Sequence, residues 1–170
     1  MMTNNIKFKH NVDNPHASKK VSNSTITKQT FLELINSNYE QHLHFYTDGS
    51  KSTLGTGAAY YVPELDITGK FSLENQVSSY SAELLAILKA TQTFNSIEQQ
   101  DIVIFTDSQA AIQALDKVYN SYKGEGIPVS IIYEVIKSGK NVTFQWIPGH
   151  SGIYCNEYVD SLAKDSITNG

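Results

Sequence analysis

The stretch IVIFTDSQAAIQAL, residues 102–115, decides the fold. Ile102 to Thr106 is an unbroken run of β-branched and aromatic residues. Such a run reads as a strand covered on both faces, because a half-solvated strand would alternate apolar with polar. Asp107 and Ser108 interrupt it, and Ala111, Ile112 and Leu115 then recur at helical spacing, so a helix is predicted from Ser108 to Val118. A buried strand that turns at once into a helix is the unit of an α/β protein. The stretch LHFYTDGS, residues 43–50, repeats the arrangement: an apolar strand that ends on Asp48.

Working outward, GAAYYV (57–62) reads as a second strand and residues 69–74 as a third. Short connectors between them predict an antiparallel meander. Leu84, Ile87, Leu88 and Thr91 mark a helix over 81–94. Pro128 suits the first turn of another over 128–137. Residues 142–146 form a fifth strand and 153–166 a last helix. The pattern predicts an α/β domain over 42–168: a five-stranded mixed sheet, three strands in an antiparallel meander plus two parallel strands, flanked by helices. Residues 1–41 are poor in large apolar groups and read as a flexible leader or tether. Phe31, Leu32, Leu34 and Ile35 mark a short helix within it.

Composition bounds the function. A chain of 170 residues with 40% hydrophobic and 18% charged residues suits one well-cored domain. It has no apolar run long enough for a membrane span. Cys155 is the only cysteine, which excludes an internal disulfide and a cysteine zinc cluster, and an intracellular setting, cytoplasm or nucleus, fits. The net charge of −4 argues against a nucleic-acid partner, since phosphate contacts favour basic surfaces. The exception is a protein whose carboxylates hold divalent cations, because these count as negative in the sequence and are neutralised in the working site.

Four carboxylates are placed for that exception. Asp48 and Asp107 end two apolar strands, where α/β sheets build their sites. Glu83 lies in the first turn of its helix on the side of Ile87, and Asp160 lies on the last helix, four residues before Lys164. Any one of them alone would read as a solvated surface group. Packed together they repel unless a cation lies between them. An oxygen-only ligand set points to Mg2+ or Mn2+, and two such ions serve phosphoryl transfer or phosphodiester cleavage.

YTDGS (46–50), AEL (82–84), TDSQAAIQAL (106–115) and WIPGHSGIYCNEYVDSLAK (146–164) resemble, in order, the four active-site motifs of type 1 ribonucleases H. The resemblance implies a ribonuclease H-like fold and an endonuclease that hydrolyses the RNA strand of RNA/DNA hybrids. It implies that Asp48, Glu83, Asp107 and Asp160 bind two Mg2+ ions, with Mn2+ able to substitute. It further implies that His150 assists reaction or product release, and that Asn156 and Glu157 order the loop before the last helix and approach the substrate. Ser50, Ser79 and Ser108 fall where hydroxyls could contact the hybrid. No membrane and no small-molecule cofactor is implied. His10, His16, His42 and His44 have no such context and read as incidental.

The chain departs from the family in three places. Cys155 stands where glycine is frequent, so the loop is expected to differ slightly. The basic loop that some members carry between the middle helices is missing, since Tyr119 to Gly126 holds only Lys123. No separate hybrid-binding domain is visible. SYSAELLAI (79–87) and WIPGHSGI (146–153) look most like ribonuclease H domains of non-long-terminal-repeat retrotransposons, which implies a reverse transcriptase domain in the same polyprotein as partner. The other readings are a catalytically inactive hybrid-binding or connecting module and another nuclease on the same fold. Deleting residues 1–30 is expected to leave intrinsic activity nearly unchanged, because no site residue lies there.

Overall fold

A computed structural model of the chain describes residues 5–12, 24–74 and 76–169. Its elements are β1 (Ile6–Lys9), α1 (Ser24–Asn38), β2 (Leu43–Ser52), β3 (Gly55–Val62), β4 (Ile67–Leu73), α2 (Ser79–Thr91), β5 (Asp101–Thr106), α3 (Gln109–Ser121), α4 (Ile127–Ser138), β6 (Asn141–Trp146) and α5 (Tyr154–Asn169). The strands form one sheet in the order β1-β6-β5-β2-β3-β4. The pairs β2/β3 and β3/β4 are antiparallel, as the short connectors predict. The pairs β2/β5, β5/β6 and β1/β6 are parallel.

The α/β class and the mixed sheet match the expectation, but the sheet has six strands where the sequence predicts five. The sixth, β1, comes from the segment expected to be a flexible leader. Ile6 and Phe8 face the core, and the Phe8 ring stacks on Phe144 at 5.4 Å. Four residues in a polar stretch give too little periodicity to read; the strand exists because β6 offers it an edge. The short helix marked by Phe31, Leu32, Leu34 and Ile35 is present as α1, but it is packed on the domain rather than flexible: Phe31 is buried and meets Phe105 edge-on at 5.5 Å. The remainder of the expected leader, residues 1–4 and 13–23, lies outside the described residues.

The uninterrupted apolar run of β5 has its reason here. Ile102 and Ile104 enter one core with Leu84, Ile87, Ile112, Leu115, Ile131 and Val135, under α2, α3 and α4. Val103 and Phe105 enter a second core on the opposite face, with Phe31 of α1, Ile147, and Val159 and Ala163 of α5. Both faces of the strand are therefore roofed. Gly57 permits the second roof: a Cβ there would lie 2.4 Å from the Ala163 carbonyl oxygen, so any side chain would push α5 off β3. No helix among the described residues is long and apolar enough to cross a membrane.

Candidate active site

Strand ends and helix starts converge on one carboxylate cluster. Asp48 lies on β2 just after its fully apolar part and is 3% exposed. Asp107 follows β5, and the parallel register of β2 with β5 puts it beside Asp48; β2 itself runs on to Ser52, so Asp48 stands within the strand and not at its end as the sequence predicts. Glu83 comes from α2, whose start is fixed by Ser78, the cap that accepts a hydrogen bond from the Ser81 amide. Gly49 lets α2 come that close, because a Cβ on it would lie 2.5 Å from the Glu83 nitrogen. Asp48, Glu83 and Asp107 present ligand atoms within 4.8 Å of one another. His150, Glu157 and Asp160 form a second set of the same kind, and Asp160 adjoins the first through a hydrogen bond with Asp48.

Crowding sets the protonation of the cluster. Burial first, then the charge of Glu83, pushes the Asp48 carboxyl up to about 11, so it keeps its proton at neutral pH and shares it with Glu83 and Asp160. Burial pushes Glu83 up to about 8, against the pull of hydrogen bonds from Asp48 and the Gly49 amide. Asp107 is raised by burial and then by the charge of Asp160. For Asp160 burial acts upward too, but hydrogen bonds from Asp48 and Lys164 outweigh it, and its carboxyl falls below the usual range. One oxygen, Glu83 Oε2, is buried with no hydrogen-bond partner. A carboxylate oxygen orphaned in this way is costly unless a ligand completes it, and oxygen-only donors suit a hard divalent cation. The residues present fit such an ion.

The loop over 147–153 closes the cluster on one side. Its start is pinned by the Ile147 amide donating to the Thr106 carbonyl and by Trp146 Nε1 donating to the Asp107 carbonyl at 3.1 Å. Gly149 lies against Asp107, since a Cβ on it would come within 2.7 Å of Oδ2. His150 is exposed and adopts a left-handed backbone with φ 52°, and Gly152 follows with φ 79°. Glu157 Oε1 accepts the Gly152 amide at 3.2 Å and so ties the loop to α5.

The other expected site residues separate into two groups. Ser50 lies on β2 paired with Gly57, and Ser79 is exposed at the first turn of α2. Ser108 caps α3 by accepting the Ala111 amide at 3.1 Å, so it has a structural task of its own. Asn156 is buried behind the loop. Cys155 lies inside α5 without a positive φ, and its thiol meets the Tyr46 hydroxyl. Sequence reasoning noted the Asp160 to Lys164 spacing but not its consequence, an ion pair at 2.9 Å that lends the cluster a cation. It also missed Gly49, Gly149 and Trp146, whose roles depend on which backbone comes close to which.

Comparison with known proteins agrees with this arrangement. The RNase H family model matches residues 40–168, and the chain belongs to the RNase H family. It is an enzyme of the ribonuclease H class, a nuclease and hydrolase. It is similar to the Ribonuclease H of Francisella philomiragia, 29% identical over 139 residues, covering 72% of this chain and 88% of that protein. The Ribonuclease H of Francisella tularensis subsp. novicida matches at the same identity and coverage. Ribonuclease H1 of Homo sapiens is 26% identical over 137 residues, which span 71% of this chain and 48% of the human protein.

Proposed function

We propose that this protein is an endonuclease that hydrolyses the RNA strand of RNA/DNA hybrids, with divalent cations held by Asp48, Glu83, Asp107 and Asp160. The observation that carries this reading is the buried, oxygen-only cluster with its orphaned Glu83 Oε2. Two Mg2+ ions, or Mn2+ in their place, would supply Lewis acidity at the scissile phosphate and a more acidic water. The chain's own residues do the remainder. Asp48 would release its shared proton to solvent on binding cations. Lys164, paired with Asp160 at 2.9 Å, keeps that carboxylate charged beside the cluster. His150, exposed and grouped with Glu157 and Asp160, holds or passes a proton on an imidazole nitrogen as product leaves. Glu157 and Asn156 hold the loop that presents it. Ser50, Ser79 and the free hydroxyl proton of Ser108 offer hydrogen bonds to 2′-hydroxyls or phosphates, which select RNA on one strand without reading bases.

The wording of residues 79–87 and 146–153 supports a retroelement setting for the same activity, with a reverse transcriptase domain of the same polyprotein as partner. The test of the function is cleavage of end-labelled hybrid beside RNA duplex, DNA duplex and single strands, in Mg2+ and in EDTA. Internal cuts in the RNA of the hybrid alone, abolished by EDTA, are expected. Binding of hybrid without cleavage in Mg2+ would favour an inactive module, and cleavage of duplex DNA another nuclease.

A further inference from the structure

The charge of the chain is unevenly spread. Five of its 13 lysines but only one of its 17 carboxylates, Asp13, fall within residues 1–32. That segment carries a net +4 and leaves the rest at −8. The structure shows where part of this charge goes. In β1 the residues facing away from Ile6 and Phe8 are Lys7 and Lys9, both exposed, opposite Thr143 and Gln145 of β6. Neither ammonium has an ion pair among the described residues. Together with Asn38 and Tyr39 at the end of α1, and with His42 and Thr143, they line a groove of about 290 Å³. Asn5, Asp101 and Asn141 continue it past Lys7 and His42.

His42 is the second observation. Its Nδ1 is cut off from solvent and has no hydrogen-bond partner. Burial lowers the His42 imidazole from its usual value; Asp101 acts the other way, while His44 and Lys7 add to the lowering. The ring is therefore neutral at neutral pH and, with Nδ1 closed to solvent, it shapes the wall of the groove without adding charge to it. Asp101, the carboxylate facing this groove, is engaged by Asn141 Nδ2 at 2.9 Å. Lys7 and Lys9 are thus two ammonium groups around one concavity, donors without an ion pair among the described residues.

We propose that the groove formed by Lys7, Lys9 and His42 binds backbone phosphates of the nucleic acid beyond the cleavage site. Lys7 lies level with Thr143, three residues short of Trp146 at the active-site end of the sheet, and two strands away from β5. At about 3.3 Å per residue and 4.8 Å per strand this is roughly 15 Å from Asp107, outside the carboxylate cluster. An acidic enzyme needs such a surface: its catalytic centre repels phosphates until cations load it, and the affinity has to come from cations placed elsewhere. The groove supplies them from the segment that reads in sequence as a tether. The proposal rests on the hybrid-cleaving reading for the choice of nucleic acid, but its test reads binding and is independent of cleavage.

The experiment compares the full chain with Lys7→Gln/Lys9→Gln, the charge-keeping Lys7→Arg/Lys9→Arg, and His42→Gln. Fluorescence anisotropy in Ca2+, expected to fill the carboxylate cluster without supporting turnover, follows binding to a hybrid of about 30 base pairs and to one of about 8 base pairs, each across a salt series, since each phosphate contact adds about 0.9 to the log–log slope. The glutamine pair is expected to weaken the long hybrid about tenfold at low salt and to lower its slope by about 2, with the short hybrid nearly unaffected. The arginine pair should retain wild-type behaviour, and His42→Gln, which changes no charge, should leave the salt slope of the long hybrid unchanged. Unchanged affinity and slope in the glutamine pair, with its thermal unfolding intact, would overturn the proposal. So would an equal loss on the short hybrid, which would place the lysines in the catalytic groove. Competition by polyglutamate as strong as by hybrid would assign the groove to an acidic protein instead. Loss in the arginine pair as well would show a packing role rather than phosphate binding.

Discussion

Replacing Asp48 by asparagine should abolish cleavage and stabilise the metal-free protein, with a pH signature that follows from the buried cluster. In the folded chain Asp48 is 3% exposed, and its carboxyl is raised from 3.8 to about 11. In the unfolded chain it ionises near its ordinary value. A group whose folded pKa is raised contributes stability that is complete below the unfolded pKa and is lost as pH rises toward the folded one. The window therefore opens near pH 4 and spans neutrality. Keeping one proton at pH 7 that the unfolded chain would release costs 3.2 pH units, about 4 kcal/mol at about 1.4 kcal/mol per unit. Asparagine fills the same volume and can donate to Glu83 and Asp160 without holding a proton. The variant should gain up to about 4 kcal/mol at pH 7, and relaxation of the cluster should reduce this to about 2 kcal/mol. Urea unfolding in EDTA at pH 5 and pH 8 is the assay. The gap between variant and wild type should be small at pH 5 and larger at pH 8, while added Mg2+ should stabilise the wild type more than the variant. An equal gap at both pH values, or a variant less stable than wild type at pH 8, would refute the shared-proton account. Cleavage above about a tenth of wild type, a barrier change under about 1.4 kcal/mol, would remove Asp48 from the essential ligands.

His150→Ala should slow turnover by roughly 10²–10⁴-fold at most and leave KM nearly unchanged, because the histidine stands on an exposed loop outside the first carboxylate set; steady-state kinetics beside Asp48→Asn check the ranking. Phe31→Ala should destabilise the fold by about 3 kcal/mol, a fall in Tm of about 6–12 °C, since the ring is 6% exposed against Phe105 and Tyr46. Deleting residues 1–30 removes β1 and part of α1, so it should lower Tm at least as much, and a truncated chain with wild-type melting would contradict the packing described here. Gly49→Ala should reduce cleavage by about tenfold or more, because its Cβ would force α2, and Glu83 with it, about 1 Å away from β2; hybrid kinetics with circular dichroism separate this from unfolding.

Local pattern was enough for the class of the fold and for the carboxylates at its centre. The unbroken apolar run of β5 required cover on both faces, and an aspartate following each of two apolar runs, Asp48 and Asp107, pointed to a site, although β2 runs on past Asp48 to Ser52. Periods of two and 3.6 are local properties, so strands and helices longer than about a turn or two were legible. The motif order marked Glu83, His150 and Asp160 as companions that spacing alone could not have joined. The rest came from packing between distant segments. Ile6–Lys9 is a strand because β6 has a free edge, which no local pattern announces. Gly49 and Gly149 are required because other backbones and Asp107 come within a Cβ's reach of them. His42 and the lysines of β1 acquire a common groove because α1 and β6 bring together residues more than a hundred positions apart. These are matters of distance between segments, and distance between segments is set when hydrophobic faces find one another, not by the residues of either segment alone.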